Sequence, residues 1–121
     1  MNFKLDYISR ILQKTSKKRI ENYVISRIWH QLNNDEIKAV FCARGGYGTV
    51  QLIDEIDFSH FKKQPKWIVG YSDVTVLHNH INQNFGIATL HATMPINFST
   101  NTPQALQSLK DALFGDTLGY Q

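Results

Sequence analysis

Three short apolar runs, each followed by a polar turn and then by helix-compatible sequence, constrain this chain more than any other feature. Residues 37–42, 67–69 and 87–90 are rich in β-branched and aromatic side chains and too short for buried helices, so they read as strands buried on both faces. Between them the period changes. Residues 18–32 carry Ile20, Tyr23, Val24, Ile28 and Leu32 at i, i+3, i+4, i+8 and i+12, one stripe of a helix, closed by the turn residues Asn33-Asn34-Asp35. Residues 49–56 read as helical with Val50, Ile53 and Ile56 on one side. Residues 73–84 read as a helix with Val74, Leu77, His78 and Ile81 on one face, and Leu106, Leu109 and Leu113 mark a last one. Residues 5–14 are compatible with a short helix. Residues 57–65, with Lys62 and Lys63, read as a connector, 91–103 as an irregular loop holding two of the three prolines, and 115–121 match no element. Alternating strands and helices imply an α/β layered fold: a partial doubly wound, flavodoxin- or Rossmann-like parallel sheet with flanking helices. In such sheets working groups collect on the loops at the carboxyl ends of strands, here 43–48 and 70–73.

Composition narrows the class. With 121 residues, 42% apolar and 12% aromatic, the chain is one domain or a piece of one. No apolar run approaches the ~20 residues needed to span a membrane, and the N-terminus has no hydrophobic signal core. The single cysteine, Cys42, excludes an internal disulfide framework and fits a buried, inert thiol. A cytoplasmic setting is the simplest expectation, with no membrane partner. The first thirty residues hold seven Lys/Arg against Asp6 and Glu21, a net of +5, while the rest hold six basic and eight acidic side chains, a net of −2. A basic arm can bind nucleic acid, but these residues are not interleaved with stacking aromatics and no nucleic-acid motif is present. A solvated helix face is the expectation, with no nucleic-acid partner.

Two loops carry candidate chemistry. In Trp67-Ile68-Val69-Gly70-Tyr71-Ser72-Asp73-Val74-Thr75 a strand stops at a glycine, a serine follows two residues later, and a helix begins at once. That is how a nucleophile elbow reads. Ser72 would be the nucleophile and the Asp73 N–H an oxyanion donor; equally, Ser72 would be a helix N-cap. Arg44-Gly45-Gly46-Tyr47-Gly48 lets the backbone approach a ligand or complete an oxyanion hole, or simply turns tightly from strand to helix. It lacks the P-loop ending and the dinucleotide spacing. Arg44 would grip a carboxylate or stand as a surface charge. His78 and His80 lie two apart on a helix and diverge. His91, just past a strand, is the one in-chain base to consider, with a structural role the commoner alternative. His30 and His60 read as surface or packing residues. No metal-ligand constellation is present, and no cofactor is expected.

Taken together, residues 37–48 and 65–75 resemble the LD-carboxypeptidase family, which includes muramoyl-tetrapeptide carboxypeptidases and microcin C immunity peptidases. Arg-Gly-Gly-Tyr-Gly followed some two dozen residues later by Gly-Tyr-Ser-Asp-x-Thr carries the resemblance, which runs from about residue 18 to about 115. Ala88-Thr89-Leu90-His91-Ala92-Thr93-Met94-Pro95 is similar to a further family segment, with Ala92-Thr93 where Gly-Pro is usual. The resemblance implies a serine peptidase of Ser-Glu-His type that removes a terminal D-residue from murein tetrapeptide-like substrates at an L–D bond, in murein recycling or toxin immunity. It implies Ser72 as nucleophile, the N–H groups of Asp73 and Gly46 as oxyanion hole, and Arg44 and Gly45 as substrate-binding residues. The full-length protein would be a homodimer.

The resemblance also implies that the family's Glu and His belong to a second, C-terminal domain. The expected organisation is a divergent basic segment at 1–17, a partial N-terminal domain at 18–115, and a tail at 116–121 towards the absent domain. Such a chain would be inactive alone. The alternative is a non-catalytic module that binds a peptide or small anionic ligand through the 43–48 loop.

Overall fold

The computed structural model describes residues 17–115, with side chains from Val24 onward. The short helix expected at 5–14, the segment 1–16 and the tail at 116–121 lie outside the described residues, as do the side chains of Ile20 and Tyr23. Helix α1 (Lys17–Asn33) leads into strand β1 (Ala39–Phe41), then short helices α2 (Thr49–Leu52) and α3 (Ser59–Lys63), strand β2 (Trp67–Gly70), helix α4 (Thr75–Phe85), strand β3 (Leu90–His91) and helix α5 (Pro103–Phe114). The three strands form a parallel sheet in the order β1-β2-β3. Ala39, Val40 and Phe41 pair with Trp67, Ile68 and Val69; Val69 and Gly70 pair with Leu90 and His91.

Successive side chains of a strand point to opposite faces, and both faces of β2 are covered. On one, Ile68 packs in a core built from Leu32 of α1, Phe61 of α3 and Ile81 of α4, with Ile53, Ile56, Phe58, Val74 and Met94. On the other, Ala39 and Val69 pack with Leu113, and Phe41, Trp67 and Leu109 close around them. Helices therefore lie on both sides of an open parallel sheet, the α/β arrangement expected, and the continuous apolar runs follow from burial on two faces. Among the described residues no helix is long and apolar enough to cross a membrane.

The ends of the helices are set by local chemistry. Thr102 caps α5 by accepting from the Ala105 N–H, with Pro103 at the first helical position, and Gly115 closes it at φ 78°. The C-terminus of α1 is capped from a distance. Buried Lys66 donates from Nζ to the carbonyl oxygens of Gln31 (3.1 Å) and Asn34 (2.7 Å). Desolvation lowers the Lys66 pKa, against a smaller opposing pull from Asp35. In the same turn, His60 pairs with Asp35 at 2.6 Å, and that hydrogen bond holds the Asp35 carboxyl below its usual range.

Four expectations need correction. The connector 57–65 contains α3, whose Phe61 is fully buried beside Phe58. The segment 49–56 is not one helix: after Leu52 it tightens to a 3-10 turn (Ile53–Glu55), which puts Ile53 and Ile56 in the core and leaves Val50 62% exposed. The third strand is Leu90–His91, shifted towards the loop. The loop 91–103 includes a 3-10 segment, Pro95–Thr100. Since Phe61 has no accessible surface and Phe114 is 52% exposed, Phe61→Ala is expected to cost ~3–5 kcal/mol in urea denaturation. Phe114→Ala should stay within about 0.5 kcal/mol.

Candidate active site

Strand β2 ends at Gly70 because the chain turns back over it: a Cβ there would lie 3.0 Å from Val74 Cγ2. Tyr71 is extended, and Ser72 then takes φ 63°, the one non-glycine residue with positive φ among those described. Left-handed backbone costs a residue with a Cβ about 1–2 kcal/mol, and such outliers concentrate at functional sites. A 3-10 turn (Ser72–Val74) runs directly into α4. Ser72 is exposed, and its hydroxyl has no hydrogen-bond partner among the described residues. The capping role open to Ser72 is therefore not taken up; a cap would spend the hydroxyl oxygen on a helix N–H.

The glycine-rich loop lies against this turn. A Cβ on Gly45 would fall 3.1 Å from Ser72 Cβ and 3.2 Å from its Oγ, so a side chain there would crowd the Ser72 hydroxyl. Gly46 is exposed with open space on its Cβ side. Arg44 is exposed, its Nε 3.4 Å from the Gly45 carbonyl. Asp73 joins the two loops: its Oδ2 accepts from the Thr49 N–H (3.2 Å) and from the Thr49 hydroxyl (2.5 Å). The carboxylate is thus committed to Thr49, while the Asp73 N–H sits in the first turn, where helical amides lack intrahelical acceptors. The Ile96 N–H donates to the Ala43 carbonyl (3.2 Å), which holds the 95–100 segment to the same loop.

The histidines divide by function in the fold. His78 is buried; its Nε2–H donates to the Gly70 carbonyl (2.9 Å), so Nδ1 accepts from the Thr89 hydroxyl (2.7 Å) in the neutral ring. It ties the end of β2 to the approach of β3, a role its place on an apolar stripe did not disclose. His80 stacks on Phe58, and His60 is paired with Asp35. His91 is exposed, its ring 6.3 Å from that of Tyr71, and lines an open groove of about 340 Å³ beside the elbow. A larger depression, about 580 Å³, surrounds the end of α1 at the amino ends of the strands and holds none of the candidate residues. Burial, with a smaller contribution from Asp73, pushes the Cys42 thiol up to about 11, which suits an inert core thiol. Among the described residues no cluster of His, Cys, Asp or Glu is arranged to hold a metal ion.

A strained, exposed serine after a central strand, pressed against a glycine loop, invites comparison with known proteins. Residues 8–92 match the family described as the LD-carboxypeptidase N-terminal domain. The chain belongs to that family. The Bacillus subtilis "Probable murein peptide carboxypeptidase" is 46% identical over 70 residues, covering 58% of this chain and 22% of that protein. Among solved structures, an MccF-like protein from Bacillus anthracis superimposes with a TM-score of 0.72 at 21% identity, over 89% of this chain and 32% of the other. A muramoyltetrapeptide carboxypeptidase from Oxalobacter formigenes does so at 0.65 and 24%, over 81% and 34%. These two share the fold. The chain spans between about a fifth and a third of the length of these proteins.

Two measurements test the geometry. Ser72→Gly relieves the left-handed strain at some cost in unfolded-chain entropy, and is expected to leave stability unchanged or raise it by up to about 1 kcal/mol. Ser72→Val should lower it. For Cys42 the unfolded thiol ionises near 9.0 and the folded one near 11, so the unfolded state sheds its proton first as pH rises. Stability should fall between those values by roughly 1.4 kcal/mol per unit. Paired denaturation curves of the native chain and Cys42→Ala at pH 8 and pH 10.5 should show this loss as the difference between the two, since the titration of Lys66 is common to both.

Proposed function

We propose that this chain carries the nucleophile and oxyanion half of a serine-type LD-carboxypeptidase, which removes the terminal D-residue from murein tetrapeptide-like substrates. The observation that supports it most is the Ser72 hydroxyl, exposed on a left-handed turn and seated against Gly45, in a member of the LD-carboxypeptidase N-terminal domain family. In this reading Ser72 Oγ attacks the carbonyl of the L–D amide. The developing oxyanion is received by the N–H groups of Asp73 and Gly46, Gly45 leaves room for the approach, and Arg44 grips the substrate's terminal carboxylate. We assign the reaction to recycling of peptidoglycan, in keeping with the murein-peptide name of the Bacillus subtilis relative.

The proton of Ser72 needs an acceptor. His78 is committed to Gly70 and Thr89, and none of the described side chains hydrogen-bonds Ser72. We therefore assign the base and its orienting carboxylate, the His and Glu of a Ser-Glu-His triad, to the additional length that the relatives possess. Members of a triad act as a unit, and losing one costs on the order of 10⁴–10⁶ in rate. Incubated with an L–D tetrapeptide, these 121 residues alone should release no D-alanine above background. Grafted in place of the matching segment of the Bacillus subtilis relative, they should support release that Ser72→Ala abolishes. Enzyme-like release by the isolated chain would sink the assignment of the base and point to His91. Release that survives Ser72→Ala would sink the nucleophile. A graft that binds the tetrapeptide without cutting it would favour the non-catalytic binding module.

A further inference from the structure

Ser72 is a single residue hung between two anchored ones. Downstream, the Asp73 carboxylate is held by the Thr49 N–H and hydroxyl. Upstream, the Gly70 carbonyl accepts twice, from the Ala92 N–H (3.2 Å) and from His78 Nε2–H (2.9 Å). A carbonyl oxygen has two lone pairs, and both are spent. The peptide group is planar, so fixing that carbonyl also fixes the Tyr71 N–H. Only φ and ψ of Tyr71 (−147° and −174°) then separate a fixed plane from Ser72 at φ 63°. The Tyr71 hydroxyl donates to Asn97 Oδ1 (2.7 Å), which restrains that residue from its far end.

The two bonds at Gly70 differ in kind. The Ala92 bond continues the β2–β3 ladder and needs no particular side chain. The His78 bond comes from α4, the helix that the turn leads into, and closes a ring from Gly70 through Ser72 and back. Its sense is forced. A carbonyl only accepts, so Nε2 carries the proton, and Nδ1 of the neutral ring then accepts from the Thr89 hydroxyl (2.7 Å). An apolar residue would serve the buried stripe of α4 as well, so packing alone does not call for an imidazole here. We propose that His78, oriented by Thr89, is a positioning residue for the nucleophile: through the Gly70 carbonyl it holds Ser72 in its left-handed conformation and so sustains the rate of attack. The inference rests on the proposed function for the reaction it serves; the hold on the turn stands on the geometry alone.

The test follows Ser72 in the isotope-labelled 121-residue chain, through the nuclear Overhauser effect between its amide proton and Hα, which is strongest at positive φ. In His78→Leu that signal should weaken, and the Ser72 and Asp73 amides should broaden by exchange with a second conformation. His78→Gln, whose amide offers a donor to Gly70 and an acceptor to Thr89, should restore both. In the Bacillus subtilis graft, His78→Leu should lower kcat for D-alanine release about tenfold, the worth of about one hydrogen bond, with KM within about twofold. His78→Gln should recover to within about threefold. Thr89→Val should cost about threefold alone and nothing further beside His78→Leu. A dispersed amide spectrum establishes that each variant is folded; if His78→Leu collapses, Thr89→Val decides by the same signals. Destabilised variants with unchanged Ser72 signals overturn the inference and leave His78 a structural residue. So does a glutamine variant no better than the leucine, a loss carried by KM, or losses at His78 and Thr89 that add in full. If the unsubstituted graft releases no D-alanine, the peptidase reading falls, and the Ser72 signals alone decide whether His78 holds the turn.

Discussion

Strand β2 is hydrogen-bonded on both edges and covered on both faces, and it is only four residues long. A chain leaving such a strand has no lateral room. It must rise out of the sheet and return as a helix within a few residues, and the conformation of Ser72 follows from that. Gly70 is stripped of a side chain because Val74 comes down on it, and Ser72 takes positive φ to bring Val74 there. A turn that costs about 1–2 kcal/mol persists only when its surroundings over-determine it. Here they do so from both flanks. The Asp73 carboxylate is anchored to Thr49 in α2, and the Gly70 carbonyl to His78 in α4.

The same contacts decide what the elbow can do chemically. A carboxylate one residue from a serine nucleophile would oppose an oxyanion forming there. The Asp73 carboxylate is held by the Thr49 N–H and hydroxyl, and its backbone is the part turned to account in the proposed reaction. Its charge is still felt by the Cys42 thiol, adding to burial in keeping that group protonated. Gly45 acts by subtraction, since any Cβ at that position would compete with Ser72 Oγ for space.

Much of this was legible in the sequence. Strands covered on both faces must be apolar throughout, so 37–42 and 67–69 stood out, and Gly70-Tyr71-Ser72-Asp73 announced a turn with a hydroxyl on it. What stayed hidden depends on contacts rather than on period. Helix α3 has five residues, too few to display a 3.6-residue repeat, so Phe58 and Phe61 looked like connector. Val50 looked buried because a regular α-helix was assumed through Ile56; the switch to 3-10 geometry at Ile53 rotates the later residues inward without it. His78 sat correctly on its helix face, but its partners lie 8 and 11 residues away on other elements. The Tyr71–Asn97 bond was invisible for the same reason, since its partners are 26 residues apart.

The contacts that position Ser72 come from the sheet, the Asp73–Thr49 anchor, His78 and the Gly45 loop. None of them passes through a general base. In the proposed reading, positioning of the nucleophile and removal of its proton are therefore separable, and among the described residues only the first has its agents. That separation gives physical sense to an active site divided along the chain. The energy that holds the left-handed turn is supplied by the sheet, the Asp73 anchor and His78, so the base that the proposed reading assigns to the relatives' additional length would need only approach an exposed hydroxyl. It would have no strain to impose, and the groove beside Tyr71 and the loop at Gly45 are shaped without it.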